Sequence, residues 1–179
     1  MTRLPWYAVR VRSNYEFTTA TILHGKGYEE FVPAYEVERR WSDRKQTLRL
    51  PLLPGYVLCR LDLQFRLPVL QSPGVVHIVS FGKVPAAVDE GEVAALERIV
   101  RAQVAAEPWP YLAIGDPVRI VRGPLVGLKG ALLEFKKTCR LVVSVTLLQR
   151  SVAAEIDSTW IMPTRMTRHL DSAAEVREA

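Results

Sequence analysis

The chain has 179 residues, enough for one ordinary domain or two small ones, and its 49% hydrophobic and 24% charged residues are typical of a globular protein. No apolar run approaches the roughly 20 residues that span a bilayer. The amino terminus also lacks the residue order of a signal peptide, so we expect a cytoplasmic protein that does not bind membranes. The net charge of +5 permits nucleic-acid binding without requiring it.

Motifs for catalysis or metal binding are absent from the sequence. Cys59 and Cys139 lie too far apart to suggest a metal-ligand pair, and they form no disulfide framework. His24, His77 and His169 have no second ligand at helical or hairpin spacing. We therefore expect a protein that is not an enzyme and that uses no cofactor.

The first elements of the chain are a strand and a helix. From Tyr7 onward, residues 6–12 alternate between apolar and polar, which predicts a half-buried strand. Ser13 and Glu16 have the spacing of a capping box. In this motif the Ser13 side chain would accept a hydrogen bond from the Glu16 amide, and the Glu16 side chain would accept one from the Ser13 amide. A helix over about residues 14–24 should follow, ended by the glycines after it.

A long basic hairpin is predicted next. Residues 28–41 and 46–50 contain extended segments that would pair and close over a charged tip. Between positions 39 and 49 stand five cations, one anion and one aromatic residue: Arg39, Arg40, Arg44, Lys45, Arg49, Asp43 and Trp41. Charged tips are common for solubility, but an aromatic residue among cations can also stack on a base while the cations follow phosphates.

The segment after the hairpin combines prolines, a glycine and a β-favouring run. Pro54 cannot donate a ladder hydrogen bond and Gly55 permits unusual backbone angles, whereas residues 56–59 favour a central strand. The segment therefore predicts a kinked approach to the strand that displays Leu53 and Tyr56. Burial of both in the core is the alternative.

The remainder of the first half predicts a short helix over residues 65–71, a strand over residues 75–79 and a second clear helix that begins at Asp89. Asp89 and Glu92 have capping-box spacing. The apolar face of this helix consists of Val93, Leu96, Val100 and Val104.

The second half has an all-β texture. Five short strands are predicted between Val118 and Ile161, which favours a small barrel. We predict an α+β fold: an antiparallel sheet flanked by helices (residues 1–104), a linker (105–111), a five-stranded all-β barrel (112–163) and a flexible tail (164–179).

Several short motifs occur together in one order. They are Trp6-Tyr7-Ala8-Val9, Leu53-Pro54-Gly55-Tyr56-Val57, Pro73-Gly74-Val75, Phe81-Gly82-Lys83-Val84-Pro85, Gly115-Asp116-Pro117-Val118-Arg119-Ile120 and Gly123-Pro124-Leu125 through Gly130. In this order and spacing, the first four resemble a NusG amino-terminal domain and the last two resemble a KOW motif. The resemblance covers about residues 5–163 and is greatest to the specialised paralogues of the UpxY and RfaH type.

The resemblance implies a transcription elongation and antitermination factor that binds RNA polymerase and suppresses pausing. The residues that match the surface for the polymerase β′ clamp helices are Tyr7, Leu53, Pro54, Gly55, Tyr56 and Leu58. An aromatic residue often stands in the family where this chain has Leu53, which implies a weaker contact.

The resemblance also assigns roles to the hairpin and the barrel. The hairpin residues Arg39, Arg40, Trp41, Arg44 and Lys45 match positions that contact the non-template DNA strand. The barrel residues Leu147, Leu148 and Arg150 match the loop that engages Rho or NusE of the ribosome, although an ordinary strand and turn is the alternative. We expect a monomer. Two other functions stay open: a housekeeping factor that assists Rho, and a ribosome-associated RNA-binding KOW protein.

Overall fold

The computed structural model describes residues 3–41, 44–110, 116–135 and 138–164. The elements of the first half, in chain order, are β1 (Trp6–Val11), α1 (Glu16–Gly25), β2 (Glu30–Phe31), β3 (Ala34–Trp41), β4 (Arg44–Pro51), β5 (Tyr56–Arg60), a 3-10 turn (Leu63–Phe65), α2 (Leu67–Leu70), β6 (Val75–Ile78), β7 (Ser80–Phe81), β8 (Val84–Pro85), β9 (Ala87–Val88) and α3 (Glu90–Arg101). Those of the second half are β10 (Ala106–Pro110), β11 (Asp116–Ile120), β12 (Lys129–Phe135), β13 (Thr138–Val145), a 3-10 turn (Thr146–Leu148), β14 (Arg150–Ile156), a 3-10 turn (Ser158–Trp160) and β15 (Ile161–Pro163). We call residues 3–105 the first domain and residues 106–164 the β domain.

β1 lies at the centre of the first sheet. The strands pair in the order β2-β5-β1-β6, with β9 also pairing with β1, and every pair is antiparallel. β1 is buried on both faces rather than on one, since five of its six residues are buried. The sheet is therefore covered on both sides, and the sequence prediction of a half-buried strand is corrected.

Helices α1 and α2 cover one face of this sheet. Val9 and Val57 point to this face and share a buried cluster with Leu23 of α1 and Val69 of α2. Pro68 lies in the first turn of α2, where a missing backbone N–H breaks no helical bond. Both helices are thus held by apolar packing on the sheet.

Helix α3 and the β domain cover the opposite face. Trp6 and Leu58 belong to a second buried cluster that contains Leu96 of α3 together with Val143 and Leu148 of the β domain. The sheet, α3 and the β domain therefore share one apolar core. Fully burying one valine or leucine side chain of this core stabilises a fold by about 1.5–3 kcal/mol.

The two longer helices begin differently. α3 begins as the sequence predicts, because the Asp89 carboxylate accepts a hydrogen bond from the Glu92 amide at 3.1 Å. α1 does not use the expected capping box: its N-cap is Tyr15, which makes no side-chain cap bond, and Ser13 is exposed. The carboxylate of Glu16 instead accepts a hydrogen bond from Gly55, 39 residues away.

A buried arginine fixes α3 to the first sheet. The Arg60 side chain is 5% exposed, lies 4.5 Å from the Trp6 ring centroid and pairs with Glu29 and with Glu90, the first residue of α3. Burial alone lowers the pKa of Arg60, but the hydrogen bond and charge of Glu90, followed by Glu29, outweigh it and raise the pKa. These contacts attach α3 to the first sheet without involving the β domain.

The β domain is a six-stranded antiparallel sheet in the order β10-β14-β13-β12-β11-β15. The five predicted strands are present, and β10 adds a sixth. The predicted linker, residues 105–111, is therefore corrected over residues 106–110, which pair with β14. The division into domains stays a prediction, residues 111–115 lie outside the described part of the chain, and of the predicted tail only Thr164 lies within it.

β10 tolerates two prolines because it is an edge strand. The amide of Glu155 donates to the carbonyl of Ala105 at 2.8 Å, so the odd-numbered residues of β10 turn their backbone groups toward β14. Pro108 and Pro110 occupy even-numbered positions, whose backbone groups face outward. A strand whose outward positions lack N–H groups is a poor template for further pairing.

Charged side chains also hold β10 in place. Arg140 of β13 reaches across β14 to pair with Glu107 of β10, and it lies 3.7 Å from Glu155. Its guanidinium lies 5.3 Å from the ring centroid of Trp109. β10 is thus joined to the β domain by its side chains as well as by its backbone.

Candidate functional site

The segment Leu53-Pro54-Gly55-Tyr56 forms a tight turn at the start of β5. The amide of Tyr56 donates to the carbonyl of Leu53 at 3.2 Å, which closes a four-residue turn. Pro54 occupies the second position, and Gly55 occupies the third with φ +83°. These are the features of a type II turn, in which the third residue needs a positive φ and is usually glycine.

Arg10 of β1 packs directly against this turn. Its guanidinium donates to the carbonyls of Gly55 at 3.3 Å and Pro54 at 3.5 Å, and it lies 4.9 Å from the ring centroid of Tyr56. A Cβ atom at position 55 would lie 2.0 Å from Arg10 Nη1. Glycine is therefore favoured here by its backbone conformation, and any side chain at this position would also displace the Arg10 guanidinium.

The structure separates the six residues predicted to bind polymerase. Pro54 is exposed and Tyr56 is half-buried, whereas Gly55 is buried within the turn. Leu53 and Leu58 are 1% and 0% exposed, in the cluster that contains α3 and β-domain residues. The prediction that Leu53 is displayed is wrong for this arrangement.

Tyr7 lies apart from the other predicted residues. It is 7% exposed and belongs to the cluster on the opposite face of the sheet, beneath α1 and α2. β1 alternates its side chains between the two faces, so Tyr7 cannot share a face with its neighbour Ala8. The structure therefore brings Tyr7 into the core rather than into the turn.

A groove opens beside the turn, with a volume of about 480 Å³. Its walls are the base of the basic hairpin, the end of α3 and the start of β10. It is lined by residues that include Tyr35, Arg49, Leu52, Ile99 and Val104. Leu52 is the residue immediately before the turn, so groove and turn are adjacent.

β3 and β4 form a two-stranded sheet separate from the first sheet. Their register places Arg39 opposite Gln46, Arg40 opposite Lys45 and Trp41 opposite Arg44. The five predicted nucleic-acid-binding residues therefore lie together at the far end of one hairpin.

Two of these five side chains are described. Arg39 and Lys45 are exposed. The side chains of Arg40, Trp41 and Arg44 lie outside the described part of the chain, as do residues 42 and 43. At the base of the hairpin, the Arg49 guanidinium lies 4.9 Å from the Phe17 ring centroid, which ties β4 to α1.

The predicted partner loop of the β domain faces α3. Leu148 is 6% exposed, Leu147 is half-buried and Arg150 is exposed. The preceding residue, Thr146, donates to Glu92 of α3 from its amide at 3.1 Å and from its hydroxyl at 2.7 Å. The loop therefore contributes to the contact between domains.

A second contact joins α3 to the β domain. The guanidinium of Arg98 donates to the carbonyl of Val126, six residues along α3 from Glu92. Between the two contacts lies a cavity of about 530 Å³, lined by residues that include Ala95, Leu128, Val142 and Val143. α3 thus holds the β domain at two points on either side of this cavity.

Four site residues were missed by sequence reasoning: Arg10, Glu16, Glu92 and Thr146. Glu16 and Glu92 were singled out only as capping residues, because helix-start spacing was the available signal. No local signal marks Arg10 or Thr146, since their partners are 44 or more residues away in the chain.

The described residues were compared with the requirements of a metal site, a reactive thiol and a membrane span. Among residues 3–41, 44–110, 116–135 and 138–164, no group of three His, Cys, Asp or Glu side chains is placed to hold a metal ion. Burial raises the pKa of the Cys59 thiol to about 12, with the charge of Glu30 contributing, so this thiol is protonated at neutral pH. Within the same residues, no helix has the length and apolar character needed to cross a membrane.

Comparisons with known proteins agree with this architecture. The NusG protein of Thermus thermophilus, a transcription termination/antitermination protein, is 26% identical over 180 aligned positions that cover 89% of this chain and 98% of that protein. The Helicobacter pylori protein of the same name is 22% identical and covers 86% of this chain and 94% of its own length. A solved structure, reported for domain interaction in Thermotoga maritima NusG, matches in fold with a TM-score of 0.54 at 20% identity, over 90% of this chain and 97% of that one.

The predicted fold class is confirmed by the structural match and the observed sheets. A family model described as transcription termination factor NusG matches residues 4–97, which is more than half of the chain. The matched segment contains β1, the basic hairpin, the type II turn and most of α3. From this match we conclude that the chain belongs to the NusG family.

Proposed function

We propose that the protein is a transcription elongation and antitermination factor that binds RNA polymerase through its first domain. Membership of the NusG family supports a role in transcription termination or antitermination. The observation that carries the proposal is the exposed Pro54 and half-buried Tyr56 on a fixed turn beside a groove lined by both apolar and polar side chains. The tip of the β′ clamp helices would place side chains against the turn and in this groove.

The basic hairpin would contact the non-template DNA strand of the docked complex. Arg39 and Lys45 are exposed at its far end, away from the turn, and the backbone brings the other three candidates beside them. Cations at such a tip can follow phosphates while Trp41 stacks on an unpaired base. The proposed action is non-covalent. By contacting both the polymerase clamp and the non-template DNA strand, the protein would keep the clamp closed and reduce pausing by the polymerase.

The β domain would recruit a second machine, Rho or NusE of the ribosome. The exposed Arg150 and half-buried Leu147 support this assignment. In the described arrangement, however, Thr146 is bonded to α3 and Leu148 is buried. The loop would become available only after the β domain separates from α3.

Separation of the β domain from α3 would also expose the buried residues of the polymerase-binding site. Leu53 and Leu58 are buried in a cluster that the β domain helps to complete. Because Arg60 anchors α3 to the first sheet through Glu90, the β domain is the part free to leave. We therefore propose two forms of the protein. In the closed form the β domain packs on α3 and only Pro54 and Tyr56 are available to polymerase. In the open form the β domain has separated, and Leu53 and Leu58 become available as well.

Binding to core RNA polymerase tests the proposal. Tyr56→Ala should weaken binding about 30-fold, since truncating an interface aromatic typically costs about 2 kcal/mol or more. Phe81→Ala is the matched control, because Phe81 is 74% exposed and lies on the separate β7–β8 hairpin. Equal affinity of both variants and the original protein would contradict the assignment of the turn.

A map of genome occupancy tests the class of factor. Assignment to the specialised UpxY and RfaH type stays a prediction from sequence. If it is correct, the protein should occupy only a few long operons. Occupancy on most transcribed genes would support the housekeeping alternative. Recovery of ribosomal subunits without polymerase would instead support the RNA-binding alternative.

A further inference from the structure

We infer that Glu16, acting with Arg10, is a positioning residue that fixes the Pro54–Gly55 peptide and thereby the shape of the polymerase-binding turn. Glu16 is 4% exposed, and its Oε1 atom lies 2.6 Å from the Gly55 amide nitrogen. The inference rests on the proposed function of the turn, which it deepens by naming the residues that set its conformation.

The conformation of this turn depends on one peptide unit. Type I and type II turns share the same end residues and the same closing hydrogen bond, and they differ by a half rotation of the central peptide. Here the central peptide joins Pro54 to Gly55. Rotating it would exchange the sides to which its N–H and C=O point, and it would move Gly55 from φ +83° to a negative value.

Both ends of this peptide are held by side chains. The N–H of Gly55 donates to the Glu16 carboxylate at 2.6 Å, and the C=O of Pro54 accepts from the Arg10 guanidinium at 3.5 Å. A half rotation would lose both bonds and direct the Pro54 carbonyl toward the Glu16 carboxylate. Burying an amide or a carboxylate without its partner is strongly unfavourable, so the two side chains select the type II form.

The same two residues connect the turn to rigid elements. Arg10 lies on β1 at the position opposite Tyr56, and its guanidinium stacks on the Tyr56 ring at 4.9 Å. Glu16 is the first residue of α1, where the helix dipole favours a negative charge. The orientation of Tyr56 and Pro54 is therefore set by β1 and α1 rather than by the turn alone.

The role of Glu16 is tested with three variants of the full chain. Glu16→Ala removes the acceptor, whereas Glu16→Gln keeps a side-chain oxygen at the same reach. Thr19→Val is the matched control: Thr19 is a buried residue of α1 whose hydroxyl donates to the Pro73 carbonyl at 3.1 Å, at a different turn. It loses a buried hydrogen bond of the same helix without touching the polymerase-binding turn.

The first readout is the Gly55 amide, followed by NMR and hydrogen exchange without any partner. A charge-assisted bond of this length should give a downfield, protected amide proton. We expect Glu16→Ala to lose both signatures, Glu16→Gln to keep protection, and Thr19→Val to leave the Gly55 amide unchanged. An unchanged Gly55 amide in Glu16→Ala would overturn the inference.

The second readout is affinity for core RNA polymerase. Glu16→Ala should bind about tenfold more weakly, whereas Glu16→Gln and Thr19→Val should remain within about twofold of the original protein. Equal losses in Glu16→Ala and Thr19→Val would indicate general destabilisation and would overturn the positioning role. If Glu16→Ala does not fold, Glu16→Asp, whose carboxylate is one methylene too short to reach Gly55, replaces it with the same expected results.

Failure of the proposed function is distinguishable from failure of this inference. If the original protein does not bind polymerase, the proposed function is wrong, and with it the binding role of Glu16. The Gly55 amide still decides whether Glu16 holds the turn. If the original protein binds and Glu16→Ala binds equally well despite an altered Gly55 amide, only the positioning inference is overturned.

Discussion

The carboxylate of Glu92 on α3 accepts two hydrogen bonds from Thr146 of the β domain, one from the amide at 3.1 Å and one from the hydroxyl at 2.7 Å. Glu92 also lies in the first turn of α3, so a single residue combines a favourable helix-dipole position with a contact between domains. The closed form depends in part on this pair.

Glu92→Ala should shift the protein toward the open form. If the pair contributes about 1 kcal/mol to the closed form, its loss should raise affinity for core polymerase about fivefold. Glu97→Ala is the control, because Glu97 is on the same helix but pairs with Arg101. A double-mutant cycle with Thr146→Val should give a coupling free energy of about 0.5–1 kcal/mol. Because valine keeps the backbone amide, a coupling near zero would show that the bond from the Thr146 hydroxyl does not help to hold the domains together.

Neutralising Arg39 or Lys45 should weaken binding of the docked complex to non-template DNA by similar amounts, irrespective of base sequence. Each substitution to Gln should also reduce the slope of log affinity against log salt by about 0.7, the value for one single-strand phosphate contact. Arg119→Gln, an exposed position in the β domain, should leave the slope unchanged. If the three variants have the same slope of log affinity against log salt, the hairpin does not contact DNA phosphates and its charges serve only solubility.

Trp41→Ala should behave differently from the cation variants. Stacking on an unpaired base is worth roughly 1–3 kcal/mol and depends little on salt, so affinity should decrease while the salt slope stays constant. Polymerase binding through Tyr56 should survive, because Tyr56 lies outside the hairpin. DNA crosslinking and pausing on a docked complex would measure both effects, and unchanged values would exclude a DNA contact by Trp41.

Cys59 should resist alkylation in the folded protein. Burial raises its pKa to about 12 from an ordinary 9.0, so the thiolate fraction at pH 8 is lower by about a thousandfold. In a Cys139→Ser background, iodoacetamide labelling should proceed only as fast as the first sheet opens. Labelling at the rate of an unfolded peptide would mean that the strand β5 is not buried.

Glu30 should make stability depend on pH in an unusual direction. Burial raises its pKa above the ordinary 4.5, against the opposing charges of His24 and Arg49. The folded state therefore binds the proton more tightly than the unfolded chain, and this contribution to stability is lost as pH rises from 4.5 through the raised value. Glu30→Gln should match the original protein near pH 4 and become the more stable of the two at neutral pH, by less than about 1 kcal/mol because solvent screens this partly exposed carboxylate.

Urea unfolding at several pH values measures this effect. Glu36→Gln is the control, since it makes the same charge change at an exposed position of β3. A difference between Glu30→Gln and the original protein that shrinks as pH rises would contradict the assignment.

Local features of the fold were predictable from the sequence, whereas features that depend on distant partners were not. The Asp89 cap and the helix after it were predicted because all the atoms concerned lie within four residues. Glu16 was misassigned because the competing donor, Gly55, is remote in sequence. Burial of Leu53 was one of two alternatives from the sequence, and the sequence could not decide between them because its cluster includes residues of another domain.

The misassigned linker has a different physical cause. Proline disfavours strands because it lacks an N–H, and residues 105–110 contain two prolines, so the segment was interpreted as a connection. At the outward positions of an edge strand no ladder hydrogen bond is made, so proline at these positions costs no hydrogen bond. Only the register of β10 on β14 reveals that Pro108 and Pro110 are at such positions.

The pairing of β10 sets how far the β domain can travel. While β10 remains on β14, α3 ends at Arg101 and the β domain begins at Ala106, so the free chain between them spans at most roughly 17 Å. If β10 detaches, the tether runs from Arg101 to Asp116 and its limit becomes roughly 50 Å. The effective concentration of the β domain at the first domain would therefore fall if β10 detached, and the ion pair between Arg140 and Glu107 favours the shorter tether.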